Sequence, residues 1–321
     1  MGLLINGDWH TDWYDTDSTN GEFVRQDAQF THTISDNDFP AQPNRYHLFV
    51  SLACPWAHRT LIFRRLKQLE PIIGVTVVQP IMRERGWEIN SDHSQALGYD
   101  ASPVTGITCL HQLYTTENPN YSGRVTVPVL WDTHTQRIVN NESSQIIRLL
   151  NHAFNAWTNV TDDYYPEALR SQIDKINAFV YEHINNGVYR AGFATTQAAY
   201  ERAYHRLFEA LDTLEQRLGI QRYLVGNTIT EADWRLFTTL IRFDAVYYQH
   251  FKSNKQRIDD YPNLANYTRE LYQYPGIAST VNMDHIKTHY YASHDTINPT
   301  GIVPVGPVLD FDQPHNRDQL F

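Results

Sequence analysis

The residue with the clearest chemical potential is Cys54, in the stretch Y-H-L-F-V-S-L-A-C-P-W-A-H-R at 46–59. The apolar run Tyr46–Ser51 predicts a buried strand, and Pro55 suits the first position of a helix, where a missing N–H costs nothing. Trp56, Leu61, Ile62 and Leu66 then recur at helical spacing. A cysteine between that strand and helix meets the positive end of the helix dipole, which favours thiolate over thiol. His58, Arg59 and Arg64 add cationic character along the same helix. A lone cysteine is more often a small buried hydrophobe, but this placement makes Cys54 a candidate nucleophile. Position 57 is Ala, so no resolving cysteine stands in a C-x-x-C pair, and a mixed disulfide on Cys54 needs an external thiol.

The chain that must position this thiol has 321 residues, 41% hydrophobic and 19% charged, as expected of a globular protein of about two domains. A net charge of −10 argues against nucleic acid or an anionic membrane as partner. Two distant cysteines point to a reducing cytoplasm. The start M-G-L-L-I-N-G-D lacks a signal-peptide pattern, and no apolar run is long enough to span a membrane.

Residues 1–45 read as an extended arm. Asp15-x-Asp17-x-Thr19 suggests a calcium loop, but Asn20 and Gln26 occupy the positions that require Gly and Glu. Gly74–Gln79 predicts a second strand, and 80–123 forms a long aperiodic insertion carrying Trp87 and a structural Cys109. Trp87 could cover a core edge or wall a ligand site. Arg124–Trp131 reads as a third strand interrupted by Pro128, where a cis bond would present the Val127 backbone to a ligand. Arg137–Val139 reads as a fourth. Asn141 predicts the N-cap of a helix at 145–152, whose first turn could bind a carboxylate or simply be capped. This β-α-β…β-β-α order predicts a thioredoxin-like domain at 46–152, followed by a linker at 153–165 and an all-α domain at 166–295. A tail occupies 296–321.

Within the helical part, Tyr189 sits at a break (185–190). Thr230 and Asp233 form a capping box flanked by Ile229 and Trp234, opening a core helix at 231–250 that carries Tyr247 and Tyr248. Helices at 262–273 and 276–291 follow, the second ending in Tyr290 and Tyr291. His285 and His289 have metal-ligand spacing without a third ligand in the pattern, and are expected to be solvated or capping histidines. No G-x-G-x-x-G, Walker or G-x-S-x-G motif occurs, so nicotinamide, ATP and serine-hydrolase chemistry have no support.

S-x-x-C-P-W-A-H-R (51–59), R-G-W (85–87), T-V-P-V-L-W-D (126–132), N-N-E-S-S-x-I-I-R (140–148) and H-Y-Y-x-S-H-x-x-I-N-P-T-G-I-V-P-x-G-P (289–307) together resemble the glutathionyl-hydroquinone reductases, the Xi-class, omega-like glutathione transferases. The resemblance implies a thioredoxin-like N-terminal domain followed by an all-helical glutathione-transferase domain. It also implies glutathione as co-substrate, with no metal, flavin or nicotinamide. Val127, with Val125 and Thr126 on the same strand, would pair with the cysteinyl backbone of glutathione. Glu142 and Ser143 would hold its γ-glutamyl end, and Trp87 and Arg124 would contact it. Tyr189, Tyr247 and Tyr290 would converge on Cys54 in an acceptor pocket. The implied reaction reduces S-glutathionyl-hydroquinones through a Cys54–glutathione mixed disulfide in a cytoplasmic homodimer. An omega-like thioltransferase or dehydroascorbate reductase, and a non-catalytic glutathione-binding module, remain as alternatives.

Overall fold

A computed structural model describes residues 2–34 and 38–320. The first residue and 35–37 of the expected arm, and the last residue of the expected tail, lie outside the described residues. The elements in chain order are β1 (Leu3–Ile5), β2 (Asp8–His10), β3 (Tyr46–Val50), α1 (Pro55–Leu66), β4 (Ile73–Val77), α2 (Ser91–Ala96), α3 (His111–Glu117), β5 (Gly123–Arg124), β6 (Val129–Asp132), β7 (Arg137–Asn140) and α4 (Ser143–His152). There follow α5 (Arg170–Val180), α6 (Gly187–Gly192), α7 (Gln197–Leu218), α8 (Glu231–Arg242), α9 (Pro262–Gln273), α10 (Met283–Ser293) and α11 (Arg317–Leu320). The chain divides into two compact units. One comprises Met1–Trp13, Gln26–Asp162 and Thr280–Ile302, and the other Tyr14–Arg25, Asp163–Ser279 and Val303–Phe321.

The first unit is built on a four-stranded sheet of order β4-β3-β6-β7. β3 runs parallel to β4 (Leu48 opposite Val75) and antiparallel to β6 (Leu48 opposite Leu130). Every β3 residue is buried, which is why its sequence is apolar at every position but His47 instead of alternating. α1 and α4 pack together. The strand expected at 124–131 divides into β5 and β6, because Pro128 cannot donate to a ladder.

The start of the chain is not simply extended. Asn6 (φ 49°) and Gly7 (φ 87°) make a two-residue turn with both residues left-handed, joining β1 to β2. β1 also pairs with β5, so a second sheet of order β2-β1-β5 ties the first residues to the insertion. Trp9 on β2 stacks on His111 at 4.8 Å and donates its indole N–H to the Glu84 carbonyl. Gly86 is required here: its φ is +70°, and a Cβ would stand 2.7 Å from the Trp9 ring.

A second correction concerns α10. The helix expected over 276–291 begins at Met283, and it belongs to the first unit instead of the all-α domain. Polar contacts to the insertion hold it there. The Met82 N–H donates to Ser293 Oγ (2.9 Å), Arg83 donates to the Ala292 carbonyl (3.3 Å), and the His289 ring bonds to the Pro80 carbonyl (2.9 Å). His285 and His289 are buried instead of solvated or capping: His285 stacks on His93 of α2 at 5.3 Å and His289 on Trp87 at 4.8 Å, so their four-residue spacing serves packing against two different neighbours.

The second unit holds α5–α9 and α11. α8 is buried along its whole length, and two π-helical turns, Tyr181–Asn185 and Phe243–Tyr247, interrupt the helices. The core helix expected as one run over 231–250 therefore ends its α-helical part at Arg242. Residues 14–25 of the expected arm pack here: Asp15 Oδ1 accepts from the N–H groups of Asp17 and Ser18 and closes a turn.

Buried histidines give the first unit an acid limit. Burial pushes His47 down from 6.5 to about 4, its ring bonded to Thr76 Oγ1 at 2.8 Å. His285 also falls to about 4, by burial first and the neighbouring His93 second. A folded state that refuses protons the unfolded chain accepts is fully stable above 6.5 and loses stability as pH falls towards 4. At about 1.4 kcal/mol per tenfold in proton affinity, His47 alone accounts for roughly 3 kcal/mol. Urea midpoints measured from pH 7 to 4.5 should fall steeply for the native chain and less for His47→Gln. Parallel curves would discard the assignment.

Candidate active site

Cys54 is the N-cap of α1, with extended backbone (φ −74°, ψ 121°) and Pro55 following it. Its carbonyl accepts from the His58 N–H at 3.0 Å, the first bond of the helix, and its own N–H donates to the Ser51 carbonyl. The side chain makes no capping bond, and no carboxylate stands in the first turn to offset the helix dipole. The thiol is half-buried, its Sγ 3.6 Å from the Val127 carbonyl. Val127–Pro128 is a cis peptide. His58 is buried and bonded to Thr280 Oγ1 at 2.8 Å, so it anchors α1 to the segment before α10.

The α4 start lies in the same unit. Its N-cap is Glu142, not Asn141: Glu142 Oε1 accepts from the Ser144 N–H at 2.8 Å. Asn141 is turned instead to the insertion, its Nδ2 donating to the Tyr114 hydroxyl and its Oδ1 accepting from the Phe30 N–H. The Tyr114 hydroxyl donates to the Thr126 carbonyl (2.8 Å), and the Thr126 N–H donates to that hydroxyl (3.2 Å). One buried tyrosine of α3 therefore fixes the non-strand segment between β5 and β6, which carries Val125, Thr126 and Val127, against the Asn141–Glu142–Ser143 turn. Arg59 joins α1 to the same turn through Ser143 Oγ at 3.3 Å and lies over the Trp56 ring at 4.5 Å. Sequence reasoning missed Tyr114, because its helix is seven residues long and sits in a stretch without periodicity. Arg59 read only as general cationic character, although its place five residues after Cys54 was on view.

Two of the expected glutathione contacts have structural duties. Arg124 donates to the carbonyls of Asp12 and Trp13 at 2.6 and 2.7 Å. Trp87 is buried and stacks on His289 of α10 at 4.8 Å. Tyr290, the residue after His289, is buried beside the rings of His289 and His294. Within the second unit, Tyr189 on α6 and Tyr247 at the end of a π-helical turn have ring centroids 6.1 Å apart. Phe251 stacks on Tyr247 at 5.4 Å and meets Tyr189 edge-on at 5.5 Å, and the Arg25 guanidinium lies 5.0 Å over the Tyr189 ring.

Residues 53–153 match the family model of the glutathione S-transferase N-terminal domain, and 197–270 that of the C-terminal domain. The chain is 53% identical to glutathionyl-hydroquinone reductase YqjG of Escherichia coli, with all of both chains covered. To glutathionyl-hydroquinone reductase PcpF of Sphingobium chlorophenolicum it is 52% identical, with 96% of each covered. The chain belongs to the Xi-class glutathione transferases, the glutathionyl-hydroquinone reductase family. The glutathione-bound structure of YqjG superposes with a TM-score of 0.90 at 50% identity, covering 100% of both chains. The Xi-class transferase of Natrialba magadii superposes at 0.91 and 46% identity, over 99% of this chain and 97% of that one. The thioredoxin-like and all-helical class expected from sequence is thus the class observed.

Proposed function

We propose that this transferase reduces S-glutathionyl-hydroquinones to hydroquinones, with glutathione as reductant. The observation that carries the reading is a half-buried cysteine at the N-terminus of a helix, 3.6 Å from the Val127 carbonyl, with alanine where a resolving cysteine would stand. The Cys54 thiolate attacks the sulfur of the conjugate, the aryl carbon–sulfur bond breaks, and the electron pair goes to the ring carbon, which takes a proton. Tyr189 is the proposed donor of that proton, with Tyr247 and Tyr290 hydrogen-bonding the thiolate or the substrate oxygen. A second glutathione thiolate then opens the Cys54–glutathione disulfide and leaves as glutathione disulfide, so one conjugate and one glutathione give one hydroquinone and one disulfide.

Glutathione itself is assigned to the Cys54 side of the first unit: Val125, Thr126 and Val127 to its backbone, Glu142 and Ser143 to its γ-glutamyl end, Trp87 and Arg124 to the flanks. A cytoplasmic homodimer is part of the same proposal, which gel filtration at micromolar concentration checks. No described helix is long and apolar enough to cross a membrane.

The deciding assay follows glutathionyl-menadione with excess glutathione, beside hydroxyethyl disulfide. Menadiol released in step with glutathione disulfide is the expected result. Turnover of the disulfide alone would replace the reading with a thioltransferase. Glutathione binding without turnover of either would replace it with a binding module.

A further inference from the structure

The second unit contains a cavity of about 270 Å³ between the segment Glu22–Arg25, the π-helical turn before α6, α6 itself and the first half of α7. Arg25, Arg190, Arg202 and Arg206 line it, against Glu22 and Glu182. Four guanidiniums facing two carboxylates leave a surplus of two positive charges in one hollow of a chain whose net charge is −10. Gly187, Ala199 and Ala203, all small, leave the space between those long side chains open.

Arg25 is held by a hydrogen bond from its Nε to Asn186 Oδ1 at 2.9 Å, while the arginine–carboxylate pairing inside the cavity is of the exchangeable kind. Arg202 pairs with Glu22 at 2.7 Å with both side chains about half exposed, and Arg190 makes a two-pronged pair with Glu182, also partly exposed. Such exposed pairs contribute only about 0–1 kcal/mol each, so an incoming anion can draw on the same donors at little cost. Arg206 is exposed and has no hydrogen-bond or ion-pair partner among the described residues; its charge is felt by Glu182, whose carboxyl lies below its usual range, chiefly through the Arg190 hydrogen bond. Arg202 and Arg206 stand four apart on α7, an arrangement that costs helix stability because like charges face each other.

We infer that this cavity is a binding site for a dianionic phosphate, either inorganic phosphate or the head of a small phosphate monoester. A dianion matches the surplus charge, and planar guanidinium forks engage its oxygens pairwise. The inference stands apart from the thiol chemistry and would survive its failure.

Isothermal titration of the full chain with inorganic phosphate at low salt is expected to give saturable binding. Arg206→Gln and the double substitution Arg202→Gln/Arg206→Gln should weaken it by at least about tenfold, as expected for loss of charge-assisted bonds. Arg65→Gln, a surface arginine of the first unit, should leave it unchanged. Raising salt from about 50 to 200 mM should weaken binding, since the site is open to solvent. Phenyl phosphate binding more tightly than inorganic phosphate identifies a monoester as ligand, and equal binding identifies the free ion. The inference is overturned by the absence of saturable heat, by acetate binding as well as phosphate, or by Arg65→Gln weakening binding as much as the α7 variants. Because all these arginines are exposed or partly so, the variants should keep native circular dichroism, which the same samples verify.

Discussion

Cys54→Ala is expected to abolish reduction of glutathionyl-menadione, with turnover falling at least about a thousandfold, while the melting temperature barely moves. The loss follows from chemistry: the aryl carbon–sulfur bond is broken by attack on sulfur, and alanine has no nucleophile. The fold is spared because the Cys54 side chain is half-buried and makes no capping bond, and its hydrogen bond to the Val127 carbonyl at 3.6 Å is that of a weak sulfur donor. Cys54→Ser refines the test, since a hydroxyl keeps the size and polarity but is a weak nucleophile at neutral pH without a partner base. It should be almost as inactive. Cys109 is buried, with its sulfur 3.8 Å from the Thr108 hydroxyl, and Cys109→Ala should retain activity. Mass spectrometry of native protein mixed with conjugate alone should find one glutathione on Cys54. Residual turnover above a few per cent in Cys54→Ala would remove the thiol from the mechanism.

What made Cys54 legible in the sequence was local. A buried strand, a proline at the first helical position and the cysteine between them are all set within ten residues, and each has a strong local preference. The Thr230–Asp233 capping box was legible for the same reason. The features that escaped depend on partners distant in sequence. Tyr114 links Thr126 to Asn141 across 12 and 27 residues from a short helix with no apolar period. α10 has little apolar periodicity and is buried at every position from His289 to Ser293, so its sequence could not say that Pro80, Met82 and Arg83 would hold it, about 210 residues away. The N-cap falls on Glu142 instead of Asn141 because Asn140 Oδ1 accepts from the Glu142 N–H at 2.8 Å and settles the turn one residue later. The Asn6-Gly7 hairpin signal was present and strong, but the surrounding Asp, Asn and Thr masked it as an extended arm.

The second large effect is on stability, at Asp233. This carboxylate is fully buried and accepts four hydrogen bonds. Oδ1 takes the Leu224 N–H at 2.8 Å and the Tyr267 hydroxyl at 2.7 Å, and Oδ2 takes the Thr230 N–H at 2.8 Å and the Thr230 hydroxyl at 3.1 Å. It thereby completes the capping box of α8, fixes the loop before that helix, and pins α9 through Tyr267. Asp233→Ala leaves the two N–H groups and the Tyr267 hydroxyl without acceptors in an interior that admits little water. At about 1–3 kcal/mol for each buried group left unsatisfied, and allowing for relaxation, roughly 4 kcal/mol of stability should be lost. Asp233→Asn separates packing from charge: it keeps the shape and one acceptor but turns an NH2 towards donors, so it should recover only part of the loss. Tyr267→Phe removes a single bond and should cost about 1 kcal/mol. Urea unfolding followed by far-ultraviolet circular dichroism ranks the three. If Asp233→Ala lay within 1 kcal/mol of the native chain, α8 would owe its place to apolar burial alone, and the four bonds would be incidental to it.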